Sequence, residues 1–313
     1  MRGSLSLALL LLAEIWGGSY FFIKVLVEHF GPWTVVFLRS VLGLAAVASF
    51  MIVARKPFGW KRLPWGRVAI MAFINTCIPW ALIGFSETRI ASGMASALNA
   101  TTPLWSLVVG IVFFGAAARR SQWLGMVAAV VGLAVLLEMN PATILSVDFL
   151  GFAGMMLASL CYGAGSQLSG RLLSTLTVYQ TTFGTLLFSS IGSGLAAFLF
   201  EPIPFAKLAD PLHAFAVLGL GVFGSGFAYI VFYRLVQAGG PEFATLVTYL
   251  LPVFSLAWGG LLLNETIRWS MAAGLALILS GVFLASKSSI SKPRPTKSAN
   301  ADVHVHPLDS SEA

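Results

Sequence analysis

Apolar residues run in long blocks along most of the chain, and short polar stretches separate the blocks. A helix crossing the hydrocarbon of a bilayer needs roughly 20 mostly apolar residues. That ruler predicts spans over 4–27, 32–53, 67–86, 90–114 and 121–138, then over 149–170, 178–200, 213–235, 241–263 and 267–286. Helices are the expected solution because each backbone polar group in lipid must find its partner within its own segment. The first block carries Glu14 and lacks a small-residue cleavage site, so it reads as a retained span rather than a signal peptide. After residue 286, Ser, Lys, Pro and Asp replace the apolar runs, and 287–313 is expected to be a disordered cytoplasmic tail.

The blocks repeat. A shift of about 148 residues lays Pro103-Leu104-Trp105-Ser106-Leu107 on Pro252-Val253-Phe254-Ser255-Leu256, and Gly125 and Gly132 on Gly274 and Gly281. A slightly smaller shift lays Trp16-Gly17 on Tyr162-Gly163. Two related halves of five spans follow, 1–140 and 147–286, and an odd number of spans forces the second half to enter the bilayer upside down. The expected fold is an all-α integral membrane protein whose ten transmembrane helices form two inverted five-helix repeats. Secondary transporters are built this way, with the substrate site near the midplane where the halves meet.

Composition agrees: 58% of residues are hydrophobic and 10% charged, a balance foreign to water-soluble domains of this length. The excess of cations is a matter of orientation, not of nucleic-acid binding. With the amino terminus inside, the cytoplasmic side receives Arg2, Arg55, Lys56, Lys61, Arg62, Arg67, Arg119, Arg120, Arg171, Arg234, Lys287, Lys292, Arg294 and Lys297, while the outer side receives only Arg89, Lys207 and Arg268. That bias places both termini in the cytoplasm of a cell (plasma) membrane protein. Cys77 and Cys161 lie in apolar blocks and read as buried free thiols. Trp16, Trp80, Trp105 and Trp258 fall within spans, where packing and a cavity wall both explain an indole.

Several polar residues lie where lipid would exclude them. Glu14 sits near the middle of the first span, and an ionised carboxylate there is costly unless it meets a polar cavity or a partner. It is expected to take up and release a coupled proton. Glu14, Gly17, Phe21 and Lys24 follow helical spacing, with Trp16 beside them. Lys24 and Arg39, in neighbouring antiparallel spans, together suit a carboxylate or phosphate near the outer mouth. Their counterparts in the second half fall near Gly170 and Thr185, so an anion site would be asymmetric. Pro103 and Pro252 each interrupt a span near its centre. Asn99, Thr102 and Ser106 flank the first, and Thr245, Thr248 and Tyr249 the second, and interrupted helices at matching positions point to a central substrate site.

The run Trp16-Gly17-Gly18-Ser19-Tyr20-Phe21-Phe22-Ile23-Lys24, Arg39, the mid-span prolines and the Asn264-Glu265 turn followed by Gly274 and Gly281 resemble the EamA domain of the drug/metabolite transporter superfamily. The resemblance covers about residues 5–286, both copies of the domain. It implies a ten-helix carrier that exports amino acids, metabolites or drug-like compounds without ATP. The second copy lacks the tryptophan and lysine of the first motif, and Ala116 stands where Glu265 would repeat. Glu265 is expected to cap the tenth helix. Exchange of sugar- or nucleotide-linked metabolites is an alternative within transport, and a membrane enzyme or scaffold is one outside it. Against an enzyme, all four histidines lie in loops or tail, and no glycine loop ends in Gly-Lys-Ser/Thr, so no cofactor or metal is expected. Monomer and dimer both stay open at this point.

Overall fold

The computed structural model describes residues 2–61, 63–115, 120–136, 148–173, 175–239 and 247–287. Within the described residues, each of the ten apolar blocks contains a helix. They are α1 (Arg2–Val27), α2 (Pro32–Val53), α3 (Trp65–Glu87), α4 (Ser92–Phe114), α5 (Arg120–Leu136), α6 (Phe149–Leu172), α7 (Val178–Phe200), α8 (Pro211–Leu235), α9 (Val247–Leu262) and α10 (Trp269–Lys287). Large apolar side chains remain exposed along their outer faces, such as Val53, Phe113, Phe200 and Leu261, as expected of a surface that meets lipid.

The halves are related by reciprocal contacts. A Cβ on Gly17 of α1 would lie 2.5 Å from Phe254 Cβ of α9, and one on Gly163 of α6 would lie 2.6 Å from Ser106 N of α4. These are the same residues that the repeat superimposes. Gly43 of α2 abuts Gly221 and Ser225 of α8, while Gly192 of α7, offset by 149, abuts Phe73 and Cys77 of α3. At the centre, Ser40 and Ser189, also offset by 149, share a hydrogen bond of 2.9 Å. A residue that touches its own repeat mate lies on the symmetry axis. Because α2 and α7 are antiparallel there, the axis lies across the helices, as inverted repeats require. α5 and α10 pack only against each other among the major helix pairs, with Gly125 against Gly281 and Gly132 against Gly274. In this register Arg39 is the mate of Phe188 rather than Thr185.

Two features depart from uniform helix at matching places. α3 widens into a π turn over Phe73–Cys77 and α8 into a longer one over Gly219–Phe227. A widened turn leaves carbonyls in need of donors. In α8, Ser225 Oγ donates to Leu220 O at 3.0 Å and Trp16 Nε1 of α1 donates to Gly224 O at 3.1 Å. In α3, Thr76 Oγ1 donates to Ala72 O at 2.6 Å. The prolines behave differently from one another. α4 breaks after Asn99 and restarts at Thr102 with Pro103 in its first turn, whereas Pro252 lies inside the continuous α9. Pro103 has no amide hydrogen to lose at a helix start.

One end of the bundle is stapled by acids bound to helix N-termini, where free N–H groups and the helix dipole favour negative charge. Glu201, just past α7, accepts from Trp33 N at 3.0 Å and Thr34 N at 2.8 Å of α2. Glu265 accepts from Ser92 N at 2.8 Å and Gly93 N at 3.1 Å, so it caps α4 of the other half and not α10. Asp148 caps α6 through Gly151 N at 3.0 Å and pairs with Arg89 at 2.9 Å.

Candidate functional site

Between the halves lies a cavity of about 320 Å³, walled by every helix except α5 and α10. It runs from Ile23 and Ile83 to Leu176 in the turn between α6 and α7 and Val178 at the start of α7. Beyond Ile23, the buried Leu26, Phe30, Val35 and Ile90 close the stapled end. The walls are aromatic and weakly polar: Trp16, Tyr20, Trp80, Tyr162, Tyr229 and Tyr233 surround the space, with Asn75, Asn99, Thr102 and Thr181 between them.

Arg39 is the one charged residue among the described lining residues. It is 4% exposed, and its guanidinium carbon lies 3.7 Å from the centroid of the Trp80 ring, a cation–π stack. Its Nε donates to Ser225 Oγ at 2.9 Å, and Ser225 in turn donates into the π turn of α8. The widened turn therefore does local work: it holds the serine that orients the arginine. Only Nε has a hydrogen-bond partner among the described residues, which leaves the planar fork for a guest. A guanidinium stays charged at physiological pH and binds carboxylate or phosphate in two parallel hydrogen bonds.

The structure gathers only part of the predicted set here. Trp16, Arg39, Asn99, Thr102 and Thr248 line the cavity. Asn99 Oδ1 and its carbonyl both accept from Thr102 Oγ1, at 3.2 and 2.7 Å, which steadies the break before Pro103. Ser106 lies one layer behind, bonded to Ser166 at 2.8 Å and to Gln167. Gly17 serves close packing, and Phe21, Pro103 and Pro252 lie outside the lining. Lys24 is not paired with Arg39: its Nζ donates to the carbonyls of Glu87 at 2.6 Å and Ile90 at 3.1 Å, closing the last turn of α3. Glu14 is exposed on another face of α1, in a lateral groove with Phe22, Phe223 and Trp258. Thr245 and the side chain of Tyr249 lie outside the described residues.

Sequence reasoning missed most of the aromatic wall. Tyr229, Phe232 and Tyr233 recur at helical spacing on α8, a stripe that was legible. Tyr162 is the repeat mate of Trp16 and was legible too. Trp80 was noticed only as an indole within a span, because its partner Arg39 comes from another helix.

The comparisons with known proteins agree with the two-repeat fold. The profile of the EamA-like transporter family matches residues 4–138 and again residues 149–287. An uncharacterized transporter of Archaeoglobus fulgidus is 24% identical over 89% of this chain and 97% of its own. The uncharacterized inner membrane transporter YedA of Escherichia coli is 26% identical over 88% of this chain and 89% of its own. Protein PecM of Dickeya dadantii is 21% identical over 88% and 90%. A solved crystal structure shares the fold, with a TM-score of 0.66 at 17% identity over 91% of this chain and 98% of that one.

Proposed function

The chain belongs to the EamA-like transporter family, secondary transporters that move small molecules across the plasma membrane, and on that premise we propose that it exports small amphipathic anions by alternating access around Arg39. The observation that carries this reading is the buried guanidinium stacked on Trp80 inside an aromatic cavity. Such a wall suits a flat apolar body, and the unengaged fork suits a carboxylate or phosphate. An amino acid or a related metabolite fits the volume and the chemistry.

In this reading the repeats 1–140 and 147–286 rock about the Ser40–Ser189 contact, and the tail 287–313 lies in the cytoplasm with both termini. The cation bias of the loops supports that orientation. The cavity's extension to the α6–α7 turn then corresponds to a cytoplasm-facing state. The remoteness of Lys24 and Glu14 from the lining moves the anion site onto Arg39 alone. Glu14 keeps its costly midplane position on the lateral groove, but no step of this reading passes through it.

The experiment is binding and flux in proteoliposomes with a panel of aromatic and aliphatic carboxylates and their uncharged amides. Arg39→Ala is expected to weaken carboxylate binding about 100-fold, since removing one partner of a desolvated charge pair costs about 2–5 kcal/mol. The amides should be indifferent to it, and Lys24→Met should leave binding near the wild-type value. Equal loss for acids and amides, or no loss at all, rejects the anion site.

A further inference from the structure

Glu87 is the last residue of α3, one position past the span expected over 67–86, and it is 0% exposed. Neither of its carboxylate oxygens has a hydrogen-bond partner among the described residues, and the hydroxyls of Ser86 and Ser92 in the same α3–α4 hairpin share that condition. Lys24 does not pair with the carboxylate: its Nζ is spent on the backbone carbonyls of Glu87 and Ile90. The charged and titratable groups that face Glu87 are Tyr20 and Lys24 of α1, Arg39 of α2 and Glu265 of the α9–α10 turn. Glu265 belongs to the other half and holds the hairpin shut through Ser92 N and Gly93 N.

A buried carboxylate with no hydrogen bond is tolerated as the neutral acid where burial outweighs its cationic neighbours, here Lys24 and Arg39, and the Glu265 carboxylate adds to that preference. Lifting the α9–α10 turn would admit water to the hairpin and reverse that preference. We propose that Glu87 is a proton-binding group of the gate at the stapled end, protonated while the halves are closed over it and ionised when they part. On opening, the O–H bond of the carboxyl breaks, its electron pair stays on the oxygen and the proton passes to water at that end. Protons there favour the closed gate, and their loss favours the open one. The proposal rests on the alternating-access reading but not on the identity of the guest.

The test is a distance measurement by pulsed electron resonance on the full chain in lipid nanodiscs without substrate. Spin labels go on Thr88→Cys and Thr266→Cys, both exposed, in a background with Cys77 and Cys161 replaced by alanine. In the otherwise unaltered protein the ratio of long to short distances should rise with pH between about 5 and about 9, by up to tenfold per pH unit for one proton. Glu87→Gln, which mimics the neutral acid, should keep the short distance throughout. A pH-independent distance in the parent protein overturns the proposal however the variant folds. So does a titration that survives Glu87→Gln. Because no guest is present, failure here leaves the Arg39 reading standing, and a failed Arg39 experiment leaves this one standing.

Discussion

At the scale of single residues, a charge in this protein is defined by what it touches and not by its depth alone. Lys24 and Arg39 lie in neighbouring helices, yet one closes a helix end and the other faces the cavity. No periodicity separates them, because the difference lies in which helix stands opposite. Asp148 offers a prediction outside the membrane. The Gly151 amide, and after it the Arg89 guanidinium, hold its carboxyl below the ordinary carboxylate range. A group lowered in the folded state adds stability above its unfolded value of about 3.9, and that stability is lost as pH falls through the folded value. Thermal unfolding in detergent should therefore weaken below about pH 4, and Asp148→Asn should flatten this part of the acid limb. An unchanged limb would show that the cap and ion pair contribute nothing measurable.

At the scale of elements, apolar block length sufficed to place all ten helices, since lipid leaves a backbone no other regular option in the chain. Interruptions were legible only in part. Pro103 marks a break, but Pro252 does not, and while Pro79 lies just past the π turn of α3, the longer one in α8 carries no proline. A widened turn persists where another element supplies its carbonyls with donors, as Trp16 does for Gly224, and that supply is a tertiary fact. Glycine is the clearer element-level signal. A Cβ on Gly274 would lie 2.5 Å from Leu136 N and 2.6 Å from Gly132 O, backbone atoms that cannot rotate away. Gly274→Ala should lower stability by about 1–3 kcal/mol through forced separation of α5 and α10. Gly66→Ala, which meets nothing within 4 Å, is the matched control and should leave the melting temperature unchanged or slightly raised.

For the whole molecule, the pseudo-twofold axis predicts which contacts survive the transport cycle. Ser40 and Ser189 meet on the axis, 2.9 Å apart, where rocking halves move least. Ser40→Cys with Ser189→Cys should form a disulfide under mild oxidant, since the two Oγ atoms that the sulfurs would replace lie in contact, and transport should continue. On the proposed alternating-access cycle the stapled end opens. A Cβ on Gly259 would lie 2.6 Å from Glu265 Oε2, the far end of a side chain that must shift, and 3.0 Å from Ser92 Oγ, so Ser92→Cys with Gly259→Cys should join α4 to α9 in place of the Glu265 cap and arrest flux until the bridge is reduced. Mass spectrometry reports the bridge and proteoliposome flux reports its effect. Arrest by the axial pair together with free flux through the second would refute rocking about this axis.

Block lengths, the offset repeat and the one-sided cations determined by themselves that this is a ten-helix membrane protein of two halves, because each is a local property that hydrocarbon and membrane charge read directly. Arg39, Trp16, Asn99, Thr102 and Thr248 were within reach of the same reasoning, since a polar group deep in an apolar block stands out from its neighbours. Only the tertiary structure decided that Trp80 stacks on Arg39, that Glu14 and Lys24 leave the cavity, and that Glu87 is buried beneath an acid from the opposite half. Each of those outcomes depends on pairs far apart along the chain that meet across a helix interface, and the pattern within one span says nothing about the face presented by another.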